Sequence, residues 1–261
     1  MRYLPYHVGA RACHLREEVN RPGLDNMKLT VVSPTFNEAE NISALITELE
    51  RALAGLDYEI VISDDNSPDR TWALVEEIGR LNPRIRVLRR YHKPGLGWSV
   101  IDGFSRARGD LLACIDADLQ HDPAVLPTMI ECLEGGADLV VGSRYVHGGS
   151  VGDWRFWRRA ESWLATKLAH WLTGIRICDP MSGYFLLRQC DFLDVKDRLD
   201  GQGFKILLEL AANMPRARIC ELPYSFRKRR SGRTKLSRRV IFAYCSQLWR
   251  LSRLSHGRKN K

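Results

Sequence analysis

The 261-residue chain contains no run of about 20 apolar residues, so no membrane-spanning helix is expected. No apolar segment follows the N-terminus, and a secretory leader is not expected either. Cys-x-x-Cys pairs are missing. The seven cysteines (Cys13, Cys114, Cys132, Cys178, Cys190, Cys220 and Cys245) are scattered and odd in number. That pattern argues for reduced, structural thiols in a cytosolic compartment, not for zinc or a disulfide frame. Walker A and Gly-x-Gly-x-x-Gly motifs are also lacking and no serine nucleophile elbow is evident, so P-loop kinase, dehydrogenase and serine-hydrolase readings have no support. The last 46 residues are nearly without acid: 216–261 holds fifteen Lys or Arg and one carboxylate, Glu221. The remainder is net acidic, although the whole chain stands at +9. A basic tail of this kind calls for a polyanion: nucleic acid, an anionic membrane or a phosphorylated substrate.

What the chain does have is centred on Leu111-Leu112-Ala113-Cys114-Ile115-Asp116-Ala117-Asp118-Leu119-Gln120-His121-Asp122-Pro123. An apolar run of strand length ends in two carboxylates one residue apart. On an extended chain, positions i and i+2 face the same way, so Asp116 and Asp118 would aim at one point beyond the strand end. Ligands of open α/β sheets bind at that end. Two carboxylates and the Gln120 amide oxygen suit Mg²⁺ or Mn²⁺ with room left for phosphates. The plainer alternative is that Asp-Ala-Asp caps the helix after Pro123.

Around this stretch the pattern alternates. Strands are expected at 29–33, 58–63, 85–88 and 139–144, with helices near 40–54, 70–80, 98–107 and 123–134. Such alternation gives βαβ units and a mainly parallel, Rossmann-like sheet. Residues 1–26 have no clear period and read as a loosely ordered extension, with Met27 directly before the first strand. Glu38 follows strand one, and Asp64-Asp65 follow strand two. These carboxylates would accept hydrogen bonds from a base or ribose, or else cap the following helices. From 154 to 172 the chain is helical and holds four of the seven tryptophans. Trp157, Ala160, Leu164, Leu168 and Trp171 recur at spacings of three and four, beside Arg155, Arg158 and Arg159. This is either a membrane-interface helix or an amphipathic helix packed on the core. A second such helix is expected at 237–254, with Ile241, Tyr244, Leu248 and Leu251 on one face. The domain plan is therefore an extension (1–26), a catalytic α/β domain (27–236) and a basic, membrane-associating helix and tail (237–261).

The ordered set Val32-Ser33-Pro34-Thr35-Phe36-Asn37-Glu38, Ile62-Ser63-Asp64-Asp65-Asn66, Lys93-Pro94-Gly95-Leu96-Gly97, Asp116-Ala117-Asp118-Leu119-Gln120-His121 and Gly142-Ser143-Arg144-Tyr145 resembles the family 2 glycosyltransferases. Asp179-Pro180-Met181-Ser182-Gly183, Gly203-Phe204-Lys205 and Arg229-Arg230-Ser231-Gly232-Arg233-Thr234-Lys235 place the likeness in the dolichol-phosphate (polyprenol-phosphate) mannose synthase branch. That resemblance implies a GT-A fold and an inverting transfer of a hexose, with GDP-mannose the favoured donor, onto a polyprenyl phosphate. It implies that Pro34, Phe36, Glu38, Asp64, Asp65 and Ala117 line the nucleotide-sugar pocket. Asp116, Asp118 and Gln120 would hold the metal. Arg144, Arg229 and Lys235 would meet the donor diphosphate, with Asp118, Arg144 and Arg229 carrying the catalysis. Arg158 and Ser162 would bind the acceptor phosphate. The family often has Tyr at Phe36 and Ser at Thr234. The expected setting is peripheral, on the cytoplasmic face of a membrane, with or without a small membrane-embedded partner. Sister readings are a UDP-sugar donor and, remotely, a basic nucleic-acid binder, for which no recognisable module is present.

Overall fold

The computed structural model describes residues 27–152, 156–202, 205–227 and 246–253, with 156–164 described by backbone alone. The expected extension 1–26 lies outside the described residues. Seven strands form one sheet in the order β3-β2-β1-β4-β6-β5-β7. β1 (Leu29–Thr35) is central and pairs in parallel with β2 (Tyr58–Asp64) and β4 (Leu111–Cys114). β3 (Ile85–Arg89) extends this side in parallel. On the other side, β6 (Phe185–Arg188) runs antiparallel between β4 and β5 (Leu139–Ser143), and β7 (Ile219–Pro223) lies parallel to β5 at the edge.

Strand alternation fixes two cores. Val31, Ile60, Ile62 and Ala113 face one side, against Ile42, Leu45, Ile46 and Leu49 of α1 (Ala39–Ala52), Val75 of α2 (Thr71–Leu81), and Met129 and Leu133 of a later helix. Their sequence neighbours Val32, Val61, Leu112 and Cys114 face the other side, against Val100 and Phe104 of α3 (Leu96–Ser105). The later helix is α4 (Leu126–Glu134), and the short α6 (Gln189–Val195) and α7 (Ile206–Asn213) complete the second layer. Period-two alternation puts successive residues on opposite faces, and a sheet covered on both faces buries nearly all of them. Phe104 meets Phe185 and Phe192 edge-to-face at centroid distances of 6.1 and 5.3 Å, tying α3, β6 and α6 together.

α5 (Phe156–Thr173) forms as the tryptophan pattern predicts. Its inward face, over the described side chains, is Thr166, Ala169 and Thr173, while Trp171 is 80% exposed. Small residues let α5 approach closely, and the indole is left outside. A helix over 246–253, here α8, packs Leu248 and Leu251 against Ala169 and Leu208. Over its described part, the apolar face expected to meet lipid is therefore used inside the protein. Trp249, 56% exposed with Arg253 stacked 3.7 Å from its ring centroid, points out instead.

Gln247 joins α8 to α7: its Nε2 donates to the Lys205 carbonyl and to Glu209 Oε1, each at 3.0 Å. Burial, with the Asp200 charge beside it, pushes the Glu209 carboxyl from 4.5 up to about 7. Between these values the folded protein holds a proton that the unfolded chain has released. This contribution to stability therefore falls as pH rises across the window. The urea midpoint of the protein should drop between about pH 5 and pH 7.5, and Glu209→Gln should flatten that dependence. An identical pH profile in the variant would rule out Glu209 as its source.

Candidate active site

β1, β2, β3, β4 and β5 all end at one edge of the sheet, and antiparallel β6 begins there. Among the described residues, five that are not glycine have positive φ: Asn37, Asn66, Arg70, Lys93 and Leu119. Each lies in a loop following β1, β2, β3 or β4 at this edge. Such backbone strain collects at sites where the surroundings over-determine the chain.

The loops after β1 and β2 are stitched together. Asp64, fully buried, accepts from Thr35 Oγ1 (2.8 Å), from Ser67 N (2.8 Å) and from Ser67 Oγ. Ser67 Oγ in turn accepts from Asn37 N (2.9 Å), and Asp69 accepts from Ala39 N (3.0 Å). Asp65 pairs with the buried Arg90 guanidinium and accepts from Gly95 N at 2.7 Å. Burial pushes its carboxyl above the usual range, and Asp64 adds to that, against the lowering effect of Gly95 and Arg90. Both carboxylates are thus held by partners within the protein. Phe36 stays 44% exposed at the rim, and Glu38 accepts from Asn41 Nδ2 at 2.7 Å at the start of α1. Pro34, near the end of β1, is half-buried.

β4 ends at Cys114, so the carboxylates beyond it sit on a turn and not on an extended strand. Leu119 takes φ of 62° there, and Asp118 Oδ1 accepts from Gln120 N at 3.1 Å. The two carboxylates therefore do not lie on the alternating strand geometry expected of the sequence. Asp118, Gln120 and His121 are buried, whereas the Asp116 side chain is 30% exposed. His121 Nε2 lies 3.4 Å from Asp116 Oδ2, and its ring is boxed by Tyr184, Tyr224 and Phe226 at 5.2–5.6 Å. Gly183 is required beside it: a Cβ there would come within 2.6 Å of Asp116 Oδ1. Burial raises the Asp116 carboxyl, but His121, Lys205 and Arg144 more than offset this and hold it below its usual value.

Arg144, directly after β5, is the buried cation of the site. Its Nε and Nη2 each donate to Asp179 at 2.7 Å, and its backbone N donates at 3.1 Å. Burial works against its charge, yet the Asp179 carboxylate wins and pushes the guanidinium pKa up. Glu221 on β7 accepts from Cys178 N (2.7 Å) and Asp179 N (3.1 Å), which fixes the turn that carries Asp179. Ser182 Oγ donates to the Gly142 carbonyl at 2.7 Å. Lys205 sits within electrostatic reach of Asp116, Arg144, Asp179 and Asp118, and burial lowers its pKa.

The arrangement joins Asp116, Asp118, Arg144, Asp179 and Lys205 at one edge. Sequence reasoning quoted the runs holding Asp179, Gly183 and Lys205 but gave them no role. Their signal was proximity in the ordered motif set, not any period. Arg229 and Lys235 lie outside the described residues, as do the side chains of Arg158 and Ser162 on α5. Among the described residues no three His, Cys, Asp or Glu side chains form a metal cage. The donor set is two carboxylates and one amide oxygen, with Gly183 leaving space against Asp116. That set fits a hard divalent cation completed by water or phosphate oxygens.

Residues 30–195 match the family described as Glycosyl transferase family 2. The dolichol-phosphate mannosyltransferase of Pyrococcus furiosus is 43% identical over 227 residues, covering 86% of this chain and 64% of that protein. This chain thus spans just under two thirds of that relative. The dolichol-phosphate mannosyltransferase of Saccharomyces cerevisiae is 35% identical over 245 residues, covering 90% of this chain and 91% of that protein. Among solved structures, glucosyl-3-phosphoglycerate synthase from Mycobacterium tuberculosis with UDP superposes with a TM-score of 0.62 at 21% identity, covering 87% of this chain and 82% of that one. The fold is that of the GT-A glycosyltransferases. The chain belongs to glycosyl transferase family 2.

Asp179→Ala would remove the carboxylate that takes both side-chain hydrogen bonds of the buried Arg144. It should lower unfolding stability by about 3–5 kcal/mol, read by denaturant titration. An unchanged midpoint would mean that Arg144 is solvated by other means.

Proposed function

We propose that this protein is an inverting, divalent-metal-dependent glycosyltransferase that moves mannose from GDP-mannose to a polyprenyl phosphate on a membrane surface. The observation that carries the reading is the carboxyl-edge cluster: Asp116 seated against Gly183, with Asp118, Gln120, Arg144 and Lys205 around it. The relatives named for dolichol-phosphate mannosyl transfer support the acceptor and sugar.

In this reading Asp116, Asp118 and Gln120 hold Mg²⁺ or Mn²⁺, which supplies positive charge to the departing diphosphate. Solved structures of the mycobacterial synthase include one with Mn²⁺, UDP and its product. Asp118, Arg144 and Arg229 form the catalytic group, and Lys235 joins Arg144 and Arg229 on the donor diphosphate. Asp179 holds Arg144 at a set angle, so its charge is oriented before the donor arrives. Lys205 adds a second cation on the same wall. Phe36 offers an exposed ring to the base, with Pro34, Glu38, Asp64, Asp65 and Ala117 forming the rest of the pocket. The acceptor is a phosphate ionised at neutral pH, so its oxygen attacks without a general base. Positioning and charge neutralisation then supply the catalysis. In-line attack on an α-linked donor gives a β-linked product. Arg158 and Ser162 on α5 bind the acceptor phosphate.

The acceptor is a lipid, so the enzyme works at a bilayer, on its cytoplasmic face. Among the described residues no helix is long and apolar enough to cross a membrane. Exposed Trp171 and Trp249 are the anchors in this reading, since an indole suits the headgroup layer. A small membrane-embedded subunit is the alternative source of anchoring.

Two tests apply. Membranes containing polyprenyl phosphate and Mn²⁺ should yield chloroform-soluble label from GDP-mannose, and Asp118→Ala should lower that rate at least about 100-fold. Label from UDP-glucose alone would keep the reaction class and overturn the donor. Replacing Trp171 and Trp249 by Ser should weaken binding to anionic liposomes several-fold while leaving the thermal midpoint in place, because both side chains are exposed. Unchanged liposome binding would move the anchoring elsewhere.

A further inference from the structure

Gln120 is the one neutral member of the metal donor set, and its amide has two unlike ends. Its Nε2 donates to the Arg227 carbonyl at 3.1 Å. The donor end is thereby committed, and the acceptor end must face away from Arg227. The contact is returned through the backbone, where Arg227 N donates to the Gln120 carbonyl at 2.9 Å. Just before it, Phe226 N donates to the Ser150 carbonyl at 2.8 Å, so the strand-like segment after β7 is tied in up to this point.

The Arg227 side chain spans two elements. Its Nη1 lies 2.8 Å from Glu48 Oε2 on α1, and its Nη2 lies 2.9 Å from Asp122 Oδ1 in the turn after β4. Single exposed ion pairs do little for stability. A guanidinium fork with two carboxylates on different elements has a geometric use instead, because it fixes the backbone from which it springs. That backbone carries the carbonyl that orients Gln120. Residues behind a ligand set its direction, and changing them typically weakens metal affinity roughly 10- to 100-fold.

We propose that Arg227 is a positioning residue for the divalent cation: its fork to Glu48 and Asp122 holds the carbonyl that turns the Gln120 amide oxygen toward the metal. The inference rests on the metal reading given above. Arg227 touches neither substrate nor metal and acts only through Gln120.

The test titrates the full-length, metal-free protein with Mn²⁺, following free Mn²⁺ by electron paramagnetic resonance. Arg227→Met should weaken Mn²⁺ binding roughly three- to tenfold, the low end for a residue one step further out. Arg227→Lys, which retains the charge without the fork, should fall between. The metal-free thermal midpoint should not move with either, since a 42% exposed side chain is being changed. Glu48→Gln should shift affinity the same way. The double variant Glu48→Gln/Arg227→Met should be no weaker than Arg227→Met alone, because both remove one linkage. Wild-type affinity in Arg227→Met, or full additivity in the double variant, overturns the inference. Asp118→Asn is the control for the metal reading: if it binds Mn²⁺ as the parent does, the reading and the inference fall together. If it loses binding while Arg227→Met keeps it, only the inference falls.

Discussion

The buried pair between Arg144 and Asp179 is the constraint on which the site edge depends. Both side chains are withdrawn from water, Asp179 completely. A buried ion pair contributes little net stability compared with an apolar pair of the same volume, yet breaking it leaves an intolerable charge. Its effect is therefore positional. Arg144 leaves the end of β5, and Asp179 must reach it from the chain that leads into β6. A parallel β6 would place its start at the opposite edge of the sheet. The antiparallel insertion of β6 between β4 and β5 delivers the Asp179–Gly183 turn to the carboxyl edge. Gly183 then lies against Asp116, and Ser182 closes on the end of β5. One ion pair, one strand reversal and one missing Cβ are a single geometric solution.

The parallel half was legible because each of its elements has a period. Apolar runs marked β1, β2, β4 and β5, and stripes such as Ile42, Leu45, Ile46 and Leu49 marked the helices. The second half has shorter signals. β6 spans only Phe185–Arg188 and α6 only Gln189–Val195, too few residues for a period to show. The site was legible as a set of residue types but not as a geometry. Asp116 and Asp118 lie beyond the end of β4, where the chain leaves the strand and no alternation rule applies. Asp64 and Asp65 were ambiguous between ligand contact and local capping. Ser67 stands at local capping distance from Asp64, but Thr35, Arg90 and Gly95 are distant in sequence, and spacing could not assign them. On α5 the sequence left core and interface readings open. Over the described side chains, Thr166, Ala169 and Thr173 are buried, Leu168 and Leu172 pack beside them, and Trp171 is left outside, so the helix has both a packed face and an exposed indole.

The third apolar cluster links the outer helices to the site. Ala169 of α5 and Leu248 of α8 both close on Leu208 of α7, and Lys205 directly precedes α7. Gln247 of α8 donates to the Lys205 carbonyl itself. The lysine beside Asp116 thus sits at the head of a helix whose other face supports the exposed tryptophans. A surface contact at α5 and α8 and the charge at Lys205 belong to one packed unit, with no long loop between them.

Charge balance explains why the basic tail belongs to the same molecule as an acidic body. Within the described site, Arg90 answers Asp65 and Arg144 answers Asp179, so neither guanidinium brings a full free charge. Asp116 and Asp118 then face Lys205, which leaves the wall net negative. A diphosphate cannot be drawn to such a wall without further cations. A divalent ion held by Asp116, Asp118 and Gln120 would reverse the local sign. In the sequence, every charged side chain after Glu221 is Lys or Arg. In the proposed function, a metal and the basic residues after Glu221 would supply the positive charge that the carboxylates fixed inside the fold lack, and so draw in a nucleotide diphosphate. The same basic excess suits an anionic bilayer. One electrostatic asymmetry thus serves donor and acceptor together.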